Sequence, residues 1–217
     1  MHRDATLAIR KLGRADYAPT LSRMRRLVDL RADDAIPDTL LLVEHEGVYT
    51  RGRRADPADL IDPGVPILDV ERGGRITWHG PGQLVAYPIV KLTGRARDLH
   101  AWLRLCENVV IDALAVLGLE AARDPLGTGV FSSGRKIASV GIAVRRWVTF
   151  HGLALNVCPD LRVFERVRPC GFDAQIMTSI ERELGQHYEV AVIADAVVDA
   201  FRRRWTIAIH AERETQS

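Results

Sequence analysis

Two side chains in this sequence have the chemistry for covalent catalysis. Cys170 lies in RVRPCGFDA, between Pro169 and Gly171 and outside any periodic element. The proline stiffens the backbone before it and the glycine leaves space beside it, so a thiol is presented where a substrate can approach. Arg166 and Arg168 nearby favour the thiolate, the nucleophilic form. Lys136 opens the run RKIASVGIAV, whose two alternating faces are both apolar or small, the pattern of a strand buried on both sides. A lysine there either snorkels out at the strand end or is held, desolvated, beside a pocket. A desolvated amine beside a thiol makes a general base and a nucleophile, the parts of an acyl-transfer site. The plain alternatives are an inert loop thiol and a snorkelling amine.

The remaining candidates support rather than perform chemistry. Cys106 falls on the apolar stripe of a helix and reads as core packing, and Cys158 follows an apolar strand in NVCPD. Cysteines this few and scattered form neither a disulfide framework nor a CxxC metal site. His45, His79, His100 and His151 raise a metal reading, but no HExxH, His-x-His or carboxylate at ligand spacing accompanies them, so no metal is expected. His79 in TWHGPG and His151 in FHGLALN are each followed by glycine, where backbone N–H groups can stay open to a ligand. That suits oxyanion or carbonyl support better than metal.

RGGRITWHGPGQLVAYPI (72–89) holds more glycine than a turn requires, and small residues recur in SVG (139–141) and GLA (152–154). Small side chains on neighbouring strands leave a channel that a thin ligand such as an acyl chain would fit; close strand packing is the simpler explanation for some of them. GxxxxGK[ST] and GxGxxG are absent, which argues against nucleotide binding.

These residues need a scaffold, and the hydrophobic periodicity outlines one. Strands are expected at 6–13, 39–45, 65–70, 75–79, 83–90, 128–133, 135–144 and 148–157. Asp16 should cap a helix over 17–32 with Leu21, Met24, Leu27 and Val28 on one face, and a second helix should run from Asp98 to a glycine cap at Gly118. Thr178 and Glu181 have capping-box spacing in TSIERELG, and 191–205 is amphipathic. Mixed order without strict βαβ alternation predicts α+β, a single domain with a central mixed sheet flanked by helices.

The 217 residues are 47% hydrophobic, ordinary for a packed core, and no apolar run approaches the roughly 20 residues of a membrane helix. MHRDATLAIRKLG has no apolar signal core, so a cytoplasmic protein without membrane association is expected. Net charge is only +2, but arginines cluster at 23–26, 51–54, 145–146 and 202–204. They are either a solvated surface or basic patches for an acidic partner; with no nucleic-acid motif present, that partner would be a protein.

In order and spacing, RGGRITWHGPGQLVAYPI, GRKIASVGIAV, FHGLALNV and RPCGFDAQIMTSI resemble the lipoyl(octanoyl) transferases, the lipoate–protein ligase B family, as does the upstream LLLVEHEGVYTRG. The resemblance covers roughly residues 8–185 and departs at Glu46-Gly47, where the family often has prolines, and at Phe131, where tryptophan is usual. It implies the biotin/lipoate-protein ligase fold over one catalytic domain, 1–217. It also implies octanoyl transfer from octanoyl-acyl carrier protein to a lysine of lipoyl domains in 2-oxoacid dehydrogenases and the glycine-cleavage H protein, the first step of endogenous lipoate synthesis, with no cofactor. Cys170 would carry the acyl thioester and Lys136 would be its acid/base partner. Substrate would lie along Arg72, Gly73, Gly74, Arg75, Ile76, Thr77, Trp78 and His79, then Ser139, Val140 and Gly141, then Gly152, Leu153 and Ala154, with His79 and His151 in support. The competing readings are an ATP-dependent lipoate or biotin ligase, which needs no nucleophilic cysteine, and a non-catalytic acyl-carrier-binding module.

Overall fold

The apolar run LLLV shows how the chain is layered, because its successive residues enter two different cores. In the computed structural model, which describes residues 6–125, 127–169 and 173–214, the elements in chain order are β1 (Leu7–Ala15), α1 (Tyr17–Ala32), β2 (Asp38–His45), β3 (Val48–Arg51), β4 (Ile67–Asp69), β5 (Ile76–His79), β6 (Gln83–Ile89), α2 (Leu99–Val116), β7 (Ala122–Asp124), β8 (Gly127–Ser132), β9 (Arg135–Arg145), β10 (Val148–Asn156), α3 (Ile180–Leu184) and α4 (Val190–Glu214). On β2, Leu40 and Leu42 face a core shared with α2 and α4, while Leu41 and Val43 face a core shared with α1. A strand covered on both sides has no polar face to show, which is why this run lacks alternation.

Seven strands form the main sheet in the order β1-β2-β6-β10-β9-β8-β7. β1 and β2 run parallel and the other pairs antiparallel, so the sheet is mixed. Helices on both faces of a mixed sheet complete the expected α+β arrangement. A second sheet, β4-β3-β5, carries its own core of Tyr49, Ile76, Trp78, Phe164 and Val167. β3 and β7 are not among the expected strands; at 4 and 3 residues they are too short for a period of two to register on its own.

The helix ends follow local chemistry, with two corrections. Asp98 caps α2 as expected, its carboxylate accepting from the N–H groups of His100 and Ala101, and Gly118 takes the left-handed conformation after the last turn. Asp16 stands at the N-cap of α1 but its carboxylate makes no cap; its carbonyl instead accepts from the Thr20 hydroxyl. Thr178 does not cap α3. Ser179 does, accepting from Arg182 N–H, because the Thr178 hydroxyl donates to Glu183. All four arginine clusters carry internal ion pairs: Arg25 with Glu71, Arg51 with Asp69, Arg145 and Arg146 with Asp29 of α1 and Asp33 just after it, and Arg204 with Asp112 of α2. No described helix is long and apolar enough to cross a membrane.

Candidate active site

The two small-residue segments are cross-strand partners. Ser139, Val140 and Gly141 on β9 stand opposite Ala154, Leu153 and Gly152 on β10. Together they form one wall of a narrow inner pocket. Gly152 is needed there, because a Cβ at this position would lie 2.3 Å from the Ala86 carbonyl oxygen of β6. Just before it, His151 adopts φ 56°, a conformation that side-chain-bearing residues seldom take outside functional or turn positions. The kink turns the imidazole into the pocket.

The glycine-rich stretch forms the opposite wall. Gly73 N–H donates to the Ile142 carbonyl at 2.9 Å, pinning the loop across the end of β9. Arg72 holds the same loop from within. Its guanidinium is only 6% exposed and donates to the carbonyls of Gly73, Arg75 and Thr50 and to the Thr50 hydroxyl, at 2.8–3.1 Å. A planar fork suits such a set of converging acceptors; a lysine would not span them. Along β5 the expected substrate residues then divide by strand alternation. Thr77 and His79 face the pocket. Ile76 and Trp78 face the small-sheet core instead, where Trp78 meets Phe164 edge to face with centroids 5.8 Å apart.

The pocket floor is polar yet uncharged. Burial, reinforced by the cost of protonating two neighbouring rings, His45 and His79, and by the Arg72 guanidinium, lowers the pKa of His79 to about 3. Burial and then Arg72 lower that of His151 to about 4. Burial also lowers His45 and raises Tyr17 to about 12, with Tyr87 raised for the same reason. The tautomers follow from the partners. His45 Nδ1 donates to the Ala15 carbonyl at 3.0 Å, so its Nε2 accepts the Tyr87 hydroxyl at 2.8 Å. His79 Nδ1 donates to Gln83 Oε1, Gln83 to Asn156, and Asn156 to the Thr178 carbonyl, a buried chain of 2.7–2.9 Å bonds. The His151 backbone N–H points at Met24 Sδ, 3.2 Å away, and is not open to a ligand.

Gly73, Gly74, Val140 and Gly141 also border a second, outer cleft of 550 Å³ that Lys136, Arg75 and Arg54 line. Lys136 does not snorkel. It is 1% exposed, its Nζ donates to the Thr128 carbonyl at 2.8 Å, and it stands 5.6 Å from the Phe131 ring centroid. Its own carbonyl accepts from Thr178 N–H at 3.0 Å, and Met177 bridges to it. On the other side of the cleft, Arg75 makes a two-pronged ion pair with the fully buried Asp59, whose carbonyl accepts from Arg168 N–H at 2.7 Å. Cys170, Gly171 and Phe172 lie outside the described residues. Cys106 is fully buried, with its pKa pushed up to about 12, and is core as expected; Cys158 is a half-buried free thiol.

Several site residues gave little signal beforehand. Tyr17 begins a helix and Tyr87 sits in an apolar strand, and each reads there as core. Glu71 comes within 3.5 Å of His151 Nε2 from just outside the glycine run.

Residues 16–202 match the lipoyl protein ligase A/B catalytic domain. A Geobacter sulfurreducens protein named octanoyltransferase is 47% identical over 190 residues, covering 88% of this chain and 81% of its own. One of the same name from Rubrobacter xylanophilus is 45% identical over 210 residues, covering 92% and 94%. Among solved structures, a lipoate-protein ligase A bound with ATP aligns with a TM-score of 0.72 at 15% identity, covering 94% of this chain and 86% of its own. The Aquifex aeolicus biotin protein ligase in complex with biotin and ATP aligns with a TM-score of 0.55 at 11% identity, covering 91% and 69%. At those identities the structural likeness speaks to the fold alone.

Proposed function

The chain belongs to the lipoyl protein ligase A/B catalytic-domain family and catalyses octanoyl transfer, and from that premise we propose its donor, its acceptor residue and its covalent route. The donor is octanoyl-acyl carrier protein and the acceptor is a lysine ε-amine on a lipoyl domain. Cys170 is the nucleophile, Lys136 moves the proton, and residues 1–217 act as one catalytic domain. The observation that carries this reading is the buried Lys136 amine in the cleft that meets the narrow pocket along Gly73, Gly74, Val140 and Gly141. The acyl chain fills the inner pocket and its carbonyl stands in the cleft. Support for Cys170 comes from its two flanks: Arg168 bonds to Asp59, the partner of Arg75, and Met177 and Thr178 bond to the Lys136 main chain.

In the first half-reaction the Cys170 thiolate attacks the donor thioester carbonyl, and the carrier thiol leaves with a proton from the Lys136 ammonium. One thioester replaces another, so the step is nearly isoenergetic and needs no ATP. In the second half-reaction the acceptor amine attacks the acyl-enzyme, Lys136 takes its proton, and Cys170 leaves as the thiolate. The amide formed is more stable than the thioester, which drives the cycle forward. The barrier is partly one of protonation, since a free lysine has a pKa of about 10.4 and is mostly ammonium at neutral pH. His79 and His151, neutral at the pocket floor, support the chain-binding end rather than the oxyanion.

The test is transfer to a purified lipoyl domain from octanoyl-acyl carrier protein without nucleotide. The reading expects an octanoylated acceptor lysine, and loss of product in Cys170→Ala and Lys136→Ala. A strict requirement for ATP plus free octanoate would overturn it in favour of an adenylate-forming ligase.

A further inference from the structure

Glu107 is a carboxylate in the wrong kind of place. It lies on the face of α2 that carries Cys106, Val109, Val110 and Leu114, and it is only 5% exposed. A buried carboxylate is costly unless its oxygens are met by donors, so its partners show what it is for. One oxygen accepts from the Gly129 N–H at 2.9 Å; the other is 4.0 Å from Arg123 Nε at the solvent edge.

The Gly129 N–H belongs to the same peptide unit as the Thr128 carbonyl, and that carbonyl holds Lys136 Nζ at 2.8 Å. In a trans peptide the N–H and C=O lie in one rigid plane and point in opposite directions. The Thr128–Gly129 peptide therefore stands between Glu107 on the helix side and Lys136 on the cleft side, donating to the first and accepting from the second. Fixing the N–H fixes the carbonyl. The negative charge behind the N–H also polarises the unit, which strengthens the carbonyl as an acceptor for the amine.

Space at this contact is equally constrained. Gly129 has φ 138°, and a Cβ there would lie 2.8 Å from Lys136 Cε and 2.5 Å from the Ala138 carbonyl oxygen. Backbone without a side chain is what lets the lysine tail lie flat against β8. A glycine peptide in this open conformation has little of its own to stop it rotating. The bond to Glu107 supplies that restraint.

We infer that Glu107 is a positioning residue for acyl transfer, which locks the Thr128–Gly129 peptide so that its carbonyl aims the Lys136 amine into the cleft. The inference rests on Lys136 carrying the proton in the proposed reaction. Without Glu107 the peptide plane rotates, the Thr128 carbonyl turns away and the amine loses its direction while substrate pockets stay intact.

The experiment compares wild type, Lys136→Ala, Glu107→Ala, Glu107→Asp and Glu107→Gln in octanoyl transfer, alongside NMR of protein labelled with ε-13C lysine. The chain has lysine at positions 11, 91 and 136 alone, so the Lys136 signal is the one missing from Lys136→Ala. Glu107→Ala and Glu107→Asp should lower kcat by about 10- to 100-fold with KM within about twofold, the scale expected of a misplaced catalytic group. Both should move the Lys136 ε signal. Glu107→Gln keeps an acceptor for Gly129 N–H and should recover most of kcat and the wild-type signal.

A folded Glu107→Ala with wild-type kcat and an unmoved Lys136 signal would overturn the inference, as would a loss confined to KM or a Glu107→Gln no better than Glu107→Ala. If Glu107→Ala does not fold, Glu107→Asp decides by the same criteria. Turnover that survives in Lys136→Ala is a separate result: it removes the proposed role of Lys136 and would show in that variant alone.

Discussion

Acid should destabilise this fold earlier than its carboxylates alone would allow, and the pocket floor sets the size of the effect. His79 and His151 have folded pKa values near 3 and 4, against about 6.5 in an unfolded chain. Their folded pKa values are depressed, so the unfolded state binds the proton first. The stability they contribute is complete above about pH 6.5 and is lost as pH falls towards the folded values. At about pH 5 each histidine has cost roughly 2 kcal/mol, so the pair costs about 4 kcal/mol relative to pH 7.5. That is a large share of the roughly 5–15 kcal/mol typical of a domain. Exposed carboxylates with lowered pKa values, such as Asp62, Asp69 and Asp160, act mainly below this window. His187, raised by Glu181, works in the opposite direction at the surface. Urea unfolding followed by tryptophan fluorescence at the two pH values measures the difference. His79→Gln, which keeps a neutral polar group, should reduce the pH-dependent loss by about 2 kcal/mol, the remainder coming from His151 and from His45, which burial also lowers. A wild-type difference below about 1 kcal/mol, or an identical pH dependence in His79→Gln, would refute the claim that the buried floor is neutral.

Two further outcomes follow from the walls and the thiols. Gly141→Val puts a branched side chain where a Cβ would already lie 3.2 Å from the Gly73 carbonyl oxygen and 3.4 Å from Arg72 Cδ. It should cut kcat/KM for an octanoyl donor by at least about tenfold while sparing a butanoyl donor; an unchanged ratio of the two would remove the inner pocket as the acyl site. Burial raises the pKa of Cys106 to about 12 and raises that of Cys158 in the same way. A thiol reagent at neutral pH should therefore modify Cys170 first, and a fast phase that persists in Cys170→Ala would contradict this.

Much of the site was readable because β-strands alternate in a simple way. SVG and GLA stand out as small-residue runs, and the antiparallel pairing of β9 with β10 brings them face to face, Ser139 to Ala154 and Gly141 to Gly152. The same alternation separates Thr77 and His79 from Ile76 and Trp78, a division that the family resemblance alone blurs. Lys136 announced itself as a charge in a strand buried on both sides. Harder to see were groups whose role depends on long-range packing. Tyr87 looks like core until the His45 imidazole from β2 is found 2.8 Å from its hydroxyl. Glu107 looks like one polar residue on an ordinary helix until Gly129, 22 positions away, supplies its donor. Arginine clusters read as either a solvated surface or patches for a partner, yet Arg145 and Arg146 latch the β9–β10 turn onto α1 and its C-terminal end through Asp29 and Asp33. Pairings of that kind depend on which surfaces meet, and local periodicity carries no information about it.

The central claim is a covalent octanoyl-enzyme, and intact mass measurement tests it most directly. The protein is mixed with octanoyl-acyl carrier protein, without nucleotide or acceptor, and its mass is recorded before and after addition of a lipoyl domain. The account predicts one octanoyl adduct that maps to Cys170, is absent from Cys170→Ala, and disappears as the lipoyl domain gains the same mass. An unmodified enzyme that still delivers octanoyl to the lipoyl domain would contradict it, because transfer would then be direct and Cys170 would carry nothing.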